Sequence, residues 1–254
     1  MRPLLLFPLL VIAARMNAQT SPLTFQSTEQ QTALIELYTS EGCSSCPPAE
    51  TWLSQLKEAP GLWKNFVPLA FHVDYWDYLG WRDRWAASRF SDRQRAYAGI
   101  WRSESIYTPC LVLDGREWRN WYGEKAGPRP SGAKVGVLTV NSLDTNRWQV
   151  TFAPANTSAT SYDVHAALTA SGLNSEVKAG ENQGRRLRHD FAVLDYMETN
   201  LTRSGQAAKG EFVLPLRKDA QGGKLALAVW ITEAGRREPL QAAGGWLFRA
   251  LPSP

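Results

Sequence analysis

The sequence predicts an α/β domain followed by a β-rich, sandwich-like domain. Three observations support this fold class. An apolar, β-prone run at residues 33–38 leads through a short polar turn into Cys43 and Cys46 and then into a helix. A second apolar run of strand length follows at residues 66–73. Beyond residue 133 the chain changes to short β-like runs separated by turn residues, which is typical of antiparallel structure.

The CxxC pair, Cys43 and Cys46, directly precedes a helix that opens with two prolines. Proline costs little there, because N–H groups of the first turn have no intrahelical partner. The same free N–H groups and the helix dipole stabilise a thiolate. Strand, CxxC and helix in this order form a thioredoxin-type arrangement, so we expect a thioredoxin-like domain over 30–126. Cys43 is its predicted nucleophile and Cys46 its resolving thiol; a static structural disulfide is the alternative.

The rest of this predicted domain supplies a facing proline. Residues 75–83 are an aromatic, acidic segment, and residues 75–104 together are predicted to be a helical insertion. After it, Thr108 and Pro109 stand where a cis proline faces the CxxC in a thioredoxin-like domain, and a cis X–Pro bond costs only about 0.5–1 kcal/mol. We expect Pro109 to orient a substrate strand and Thr108 to contact it. Asp114-Gly115 predicts a hairpin turn.

Four further residues are candidates for the site. Glu36 lies inside the first predicted strand, where a carboxylate is costly unless it is paired or protonated. It is a candidate catalytic residue as proton acceptor for the resolving thiol, and an ion pair with an arginine of the insertion is the alternative. His72, Asp74 and Trp76 follow the second strand, where ligands collect in parallel sheets. They are predicted substrate-binding residues, with a structural His–Asp pair and a packing tryptophan as alternatives.

Three cysteines are too few for a disulfide scaffold, so the CxxC is a redox pair, a metal site or a staple. The third cysteine, Cys110, follows Pro109 directly. It is a buried small hydrophobe, a second redox partner or a third metal ligand. The redox function needs no cofactor. The alternative is a trigonal thiolate set of Cys43, Cys46 and Cys110, which suits Cu(I).

In residues 1–18 one arginine precedes an apolar run, and a short polar segment follows it, which predicts a secretory signal too short to span a bilayer as a mature anchor. We therefore expect a periplasmic or secreted protein in an oxidising compartment. Without Arg2 and Arg15 the formal net charge falls from +4 to +2. With no basic run, nucleic acid is not an expected partner. No later stretch approaches transmembrane length, so no membrane span is expected after signal removal.

Residues 127–132, Gly-Pro-Arg-Pro-Ser-Gly, form a linker by composition. Beyond it we expect a β-rich domain over 133–250. The polar, basic stretch at 180–190, which includes His189, is predicted to be a solvated loop. The predicted strands of this domain are 135–140, 148–153, 162–168, 191–196, 211–216 and 224–232.

A resemblance to a known family is carried by five blocks: ELYTSEGCSSCPPAE (36–50), FHVDYWDYLGWRD (71–83), SDRQRAYA (91–98), IYTPCLVLDG (106–115) and GENQGRRLRHD (180–190). On these blocks, which cover nearly all of the chain after the signal, the sequence resembles an exported bacterial family of thioredoxin-like proteins known only as a domain of unknown function. The resemblance implies the fold and the exported compartment, but no reaction. The chain departs from the family at Cys110, where a polar residue such as glutamine is expected.

From the residues and the resemblance together, we expect an exported thiol–disulfide oxidoreductase that acts on protein or small-molecule thiols and disulfides. Two alternatives come from other classes. One is a Cu(I)-handling protein that uses the three cysteines as ligands. The other is a non-catalytic thioredoxin-like binding module whose CxxC is structural, since a fold does not fix a function.

Overall fold

The computed structural model describes residues 22–156, 159–215 and 223–247, and the predicted signal at 1–18 lies outside them. The strands are β1 (Thr24–Gln26), β2 (Ala33–Thr39), β3 (Phe66–His72), β4 (Cys110–Leu113), β5 (Arg116–Glu117), β6 (Gly136–Ser142), β7 (Arg147–Pro154), β8 (Ser161–Ser171), β9 (Leu173–Glu176), β10 (Arg186–His189), β11 (Ala192–Ser204), β12 (Ala207–Val213), β13 (Lys224–Glu233) and β14 (Pro239–Trp246). The α-helices are α1 (Pro47–Gln55) and α2 (Ser88–Trp101), and short 3-10 helices lie at Leu56–Glu58, Asp77–Leu79 and Trp121–Gly123.

Twelve of the fourteen described strands form one mixed sheet. Its main path runs β1-β6-β7-β12-β11-β3-β2-β4-β5, while β8 pairs with β11 and leads on to β13 and β14. β11 joins the halves of the sheet: Ala192 pairs in parallel with Ala70 of β3, and later residues pair with β8 and β12. Within the described chain, β9 and β10 form a separate antiparallel hairpin.

This architecture shows that the predicted fold class is wrong. The sequence predicts an α/β thioredoxin-like domain with a helical insertion, followed by a β-rich domain, whereas the chain is mostly β-sheet with two α-helices. The physical reason is a shared core. One apolar cluster joins Leu69 and Tyr97 to Ala167 and Trp230, so strands from both halves bury their side chains against each other. The region 75–104 contains α2 and one short 3-10 helix.

β2 lies between two apolar layers and positions the CxxC. It pairs in parallel with β3 and antiparallel with β4. Ile35 and Leu37 pack in the cluster that includes α1, whereas Leu34 and Tyr38 pack in the cluster that includes α2, as the two-residue period of a strand requires. The CxxC follows the carboxyl end of β2 and precedes α1. Among the described residues, no helix has the length and apolar character needed to cross a membrane.

The C-terminal strands follow both local pattern and packing. Each of the six runs predicted beyond residue 133 overlaps a strand. β14 was not predicted, because its sequence PLQAAGGW has no β-branched residue. Close packing accounts for its glycines: a Cβ on Gly244 would lie 2.6 Å from the carbonyl oxygen of Leu227, and one on Gly245 would lie 2.4 Å from the ring of Phe25. Packing rather than strand propensity therefore determines this element.

Glu36 is buried on the α2 side of β2, where Arg93 binds it. Arg93 Nε donates to Glu36 Oε2 at 2.7 Å and Nη2 donates to Oε1 at 3.1 Å. The hydroxyls of Tyr38 and Tyr97 donate to the same carboxylate at 3.0 Å and 2.6 Å. This is the ion-pair arrangement, and it holds α2 against β2.

We predict that Arg93→Met lowers the free energy of unfolding by about 3–5 kcal/mol, because it leaves the buried Glu36 carboxylate without its counter-charge. Arg95→Met is the matched control on the same helix, since Arg95 forms an exposed pair with Asp92, and it should cost at most about 0.5 kcal/mol. Urea unfolding followed by circular dichroism measures both. Equal midpoints for the two variants would contradict the assigned role of the Glu36–Arg93 pair.

Candidate functional site

Cys43 and Cys46 form a disulfide at the N-terminus of α1, where Cys46 is the N-cap residue. The helix opens with the N–H groups of Ala49 and Glu50 donating to the carbonyl oxygen of Cys46 at 3.0 Å and 3.2 Å. The two serines between the cysteines are exposed, whereas both cysteines are fully buried. In this structure the sulfur atoms are therefore shielded from solvent.

The Thr108–Pro109 peptide bond is cis, which confirms the geometry expected from the sequence. Ser45 Oγ lies 3.5 Å from the carbonyl oxygen of Thr108. The indole of Trp76 donates to Thr108 Oγ1 at 2.8 Å. Trp76 also packs closely on Gly42, since a Cβ added to Gly42 would lie 2.9 Å from the Cβ of Trp76. The structure thus brings the cysteine pair, Thr108, Pro109 and Trp76 together.

The remaining predicted site residues lie in other clusters. Asp74 accepts a 2.5 Å hydrogen bond from the hydroxyl of Ser91 on α2. Glu36 is bound by Arg93 on the α2 side of the sheet. His72 is buried at the end of β3, and its partner is Asp83 rather than Asp74.

Cys110 is a free, buried thiol at the start of β4, in the apolar cluster on the α2 side. Burial is the main cause that raises the pKa of its thiol to about 12. Such a thiol stays protonated at neutral pH, which favours its interpretation as a small hydrophobic residue. The alternative set of three thiolates requires the bond between Cys43 and Cys46 to be reduced first.

A buried cluster of imidazoles and carboxylates lies on the α1 side of the CxxC loop, and His189 is its centre. His189 Nδ1 lies 2.5 Å from Glu50 Oε2, and His189 Nε2 lies 3.0 Å from Glu41 Oε1. The other oxygen of Glu50 accepts a hydrogen bond from the hydroxyl of Thr39 at 2.7 Å. Glu50 is in the first turn of α1, so this contact ties β10 to the helix that follows the cysteines.

The second imidazole of the cluster belongs to His72. Its Nδ1 lies 2.7 Å from Asp83 Oδ2, and both side chains are fully buried. Asp83 also accepts hydrogen bonds from the backbone N–H groups of Glu41 and Trp85, each at 2.9 Å. The rings of His72 and His189 meet edge to face, with centroids 4.9 Å apart.

The electrostatics favour charged forms within this cluster. Burial by itself would lower the pKa of His189, but Glu50 and Glu41 raise it to about 10. Burial would raise the pKa of Glu50, but the attraction of His189 lowers it. The pKa of His72 is likewise raised by Asp83 against the effect of burial, and that of Asp83 is lowered by His72. Each imidazole thus has a carboxylate counter-charge.

A turn from the C-terminal half of the chain closes over the CxxC loop. The side-chain amide of Asn182 donates to the carbonyl oxygens of Glu41 and Cys43 at 2.9 Å and 2.8 Å, and Asn182 is fully buried. Glu181 accepts a hydrogen bond from the backbone N–H of Ser44 at 2.9 Å. The stretch predicted to be a solvated loop therefore contributes both the hydrogen bonds that hold the CxxC loop and the central imidazole beneath it.

Over the described residues, Glu50, His72 and His189 are arranged so that one ligand atom from each lies within 4.8 Å of the others. Apart from His72, sequence reasoning missed the cluster and its cover. The available signal was the family resemblance, because three of its blocks, 36–50, 71–83 and 180–190, contain all of these residues. The residues that were missed are Glu41, Glu50, Asp83, Glu181, Asn182 and His189.

The fold and site define a β-rich protein in which a CxxC disulfide adjoins a buried imidazole–carboxylate cluster. The chain belongs to the family described as protein of unknown function DUF1223, whose profile matches residues 34–232. This match confirms the resemblance to a domain of unknown function.

Two solved structures are similar in fold. A crystal structure of a protein from Agrobacterium tumefaciens has 22% sequence identity and a TM-score of 0.58, over 89% of this chain and 98% of that chain. HBP35 of Porphyromonas gingivalis has 12% identity and a TM-score of 0.57, over 90% of this chain and 81% of that chain. At these identities the similarity concerns the fold alone. A search of curated proteins gave no match.

The raised pKa of His189 predicts a pH dependence of stability in chelator-treated protein. A histidine whose folded-state pKa lies above its unfolded value of 6.5 stabilises the fold fully below that value. This contribution declines above pH 6.5 and is lost as the pH passes about 10, with a slope of at most about 1.4 kcal/mol per pH unit. Urea unfolding at several pH values measures it.

His189→Gln should be less stable than the wild type at pH 6.5 and should lose the part of the slope that His189 contributes, while His72, whose pKa Asp83 also raises, retains its own part. His165→Gln is the control, because His165 is a buried histidine outside the cluster, packed against Trp230 and Tyr196. Its slope should match that of the wild type. A wild-type stability that stays flat from pH 6.5 to pH 10 would contradict the ion-paired state of His189.

Proposed function

We propose that this chain is a thiol–disulfide exchange protein whose redox centre is the Cys43–Cys46 pair. The observation that carries the proposal is the position of the disulfide, at the N-terminus of α1 and beside the cis bond before Pro109. Free N–H groups at a helix N-terminus stabilise the thiolate that exchange requires. The substrate class is a protein or small-molecule thiol or disulfide. Residues 1–18 support an exported, oxidising setting.

The exchange conserves atoms and electrons in two steps. In the reduced protein, the Cys43 thiolate attacks one sulfur of a substrate disulfide, forms a mixed disulfide and releases the other substrate sulfur as a thiolate. The Cys46 thiolate then attacks Cys43 Sγ, restores the intramolecular disulfide and releases the second substrate thiolate. The substrate disulfide is reduced by two electrons and the protein dithiol is oxidised by two. The reverse sequence oxidises a substrate dithiol.

Glu36 has no step in this scheme. Its carboxylate is occupied by Arg93 and by two tyrosine hydroxyls on the α2 side of the sheet. Protons are therefore exchanged with solvent or substrate once the disulfide is accessible.

Access to the sulfur atoms depends on the turn that carries Asn182. Both cysteines are fully buried, and Asn182 holds the loop through two hydrogen bonds to Glu41 and Cys43. A hydrogen bond of this kind contributes about 0.5–1.5 kcal/mol. Opening of the turn is thus a modest, local rearrangement, and we assign it as the step that precedes exchange.

The second candidate function is a non-catalytic binding module with a structural disulfide. The burial of both sulfur atoms is the specific observation that favours it, because a structural bridge gains nothing from exposure. The Cu(I) alternative has weaker support, since Cys110 lies in an apolar cluster and the other two cysteines are bonded to each other.

Trapping distinguishes the two candidates. In a Cys110→Ser background, Cys46→Ser should accumulate a mixed disulfide with glutathione when incubated with glutathione disulfide, because the resolving thiol is absent. Cys43→Ser in the same background should accumulate much less, and the disulfide-bonded parent should accumulate none. Intact-protein mass spectrometry detects the adduct. A folded Cys46→Ser protein that forms no adduct would exclude the exchange function and leave the structural disulfide.

The cover of the loop predicts a kinetic effect. Asn182→Ala removes both hydrogen bonds to the CxxC loop, and with them the bond that Asn182 accepts from Arg185. Opening should therefore become easier by about 1–2 kcal/mol, and reduction of the disulfide by dithiothreitol should be about five- to thirtyfold faster. Asn174→Ala is the matched control, because Asn174 is exposed on the neighbouring hairpin and its side chain bonds only to Gly172 among the described contacts. Its reduction rate should equal the wild-type rate. Equal rates for all three proteins would contradict gating by the Asn182 turn.

A further inference from the structure

The proposed exchange reaction does not use the buried cluster beneath the CxxC loop. Glu50, His72 and His189 each present one ligand atom, and the three atoms lie within 4.8 Å of one another. We infer that Glu50, His72 and His189 form a binding site for a divalent first-row transition-metal ion of the Zn²⁺ type. The inference stands independently of the redox proposal, because no thiol takes part.

The observation that points to a ligand is an unpartnered nitrogen. His72 Nε2 is fully buried and has no hydrogen-bond partner in the described part of the chain, because Asp83 occupies Nδ1. A buried polar atom without a partner is costly in either protonation state. A positive charge on His189 can offset the negative charges of Glu50 and Glu41, but it provides no hydrogen-bond partner for His72 Nε2. A metal ion among the three side chains would satisfy that nitrogen.

The surrounding contacts have the form of an outer shell around a metal site. The carboxylate of Asp83 holds His72 through Nδ1, which leaves Nε2 as the ligand atom. Glu41 Oε1 lies 3.0 Å from the Nε2 of His189, on the opposite side of that ring from Glu50, as a charge contact without hydrogen-bond geometry. The hydroxyl of Thr39 fixes the second oxygen of Glu50. Metal-bound imidazoles commonly carry such a carboxylate on the other ring nitrogen.

The donor set determines the class of ion. Two imidazoles and one carboxylate are typical of zinc sites with an open position and of other first-row divalent ions. Ca²⁺ and Mg²⁺ prefer oxygen ligands in greater number and are therefore excluded as the expected occupant.

The site joins three separate segments, and one of its ligands lines a surface groove. The ligands come from α1, β3 and β10, so a bound ion would link the β9–β10 hairpin to α1. A groove between α1 and β10, lined by Thr51, Arg188 and others, reaches Glu50. The groove thus reaches one of the three ligands from the surface.

The test uses disulfide-bonded Cys110→Ser protein, so that thiols cannot bind the ion, after removal of metal by a chelator. Titration with Zn²⁺ or Co²⁺ by calorimetry should show one ion bound per chain, with a visible Co²⁺ spectrum that lacks thiolate charge-transfer bands. Mg²⁺ should not compete. Loss of an outer-shell partner typically weakens metal binding about tenfold to hundredfold. His72→Gln and His189→Gln each remove a ligand and should weaken binding by more than that.

Asp83→Asn tests the outer shell. It should weaken binding by about tenfold to hundredfold while the Co²⁺ spectrum persists, because His72 still ligates. His165→Gln, which changes the third histidine of the chain, should bind as tightly as the parent.

A measurement without substitutions protects the test against variants that do not fold. Nitrogen-15 spectra of the imidazoles in the parent protein should shift for two histidines on addition of Zn²⁺ and should leave His165 unchanged. Failure of the folded parent protein to bind either ion would overturn the inference. Binding that is unaffected by both His72→Gln and His189→Gln would overturn it as well, as would a zinc-induced shift at His165 alone.

Discussion

The contact of His189 with Glu50 and Glu41 is the interaction on which the rest of the site depends. The buried carboxylates of Glu41 and Glu50 require a counter-charge. His189, the last residue of β10, supplies it. The contact reaches from the C-terminal half of the chain to the first turn of α1 and to the loop before Cys43. It therefore fixes the helix, the cysteine loop and the β9–β10 hairpin against one another.

This constraint explains why the disulfide and the cluster beneath it form one unit. The chain that leads into His189 also carries Asn182, whose amide bonds cover the CxxC loop. On the other side, Asp83 orients His72 and at the same time binds the backbone of Glu41. These contacts hold the buried cysteine pair and the imidazoles beneath it in one connected arrangement.

Sequence reasoning identified the features that local chemistry determines. The helix after Cys46 and the turn at Asp114-Gly115 depend on neighbouring residues, and the structure contains both. The cis bond before Pro109, expected only by analogy with a thioredoxin-like domain, is also present. The failures concern contacts between distant residues. His189 meets Glu50 across 139 positions, which no local pattern encodes. The single sheet likewise depends on apolar faces that fit each other in three dimensions, and β14 is a strand because its glycines permit close packing.

The protonation state of His189 tests the central claim most directly. Nitrogen-15 spectra of its imidazole, recorded in chelator-treated protein from about pH 6 to about pH 9, distinguish a charged ring from a neutral one. The account predicts that both ring nitrogens carry protons across this range, because Glu50 and Glu41 hold the charged form. A ring that loses its charge with a midpoint near the ordinary histidine pKa would contradict the account.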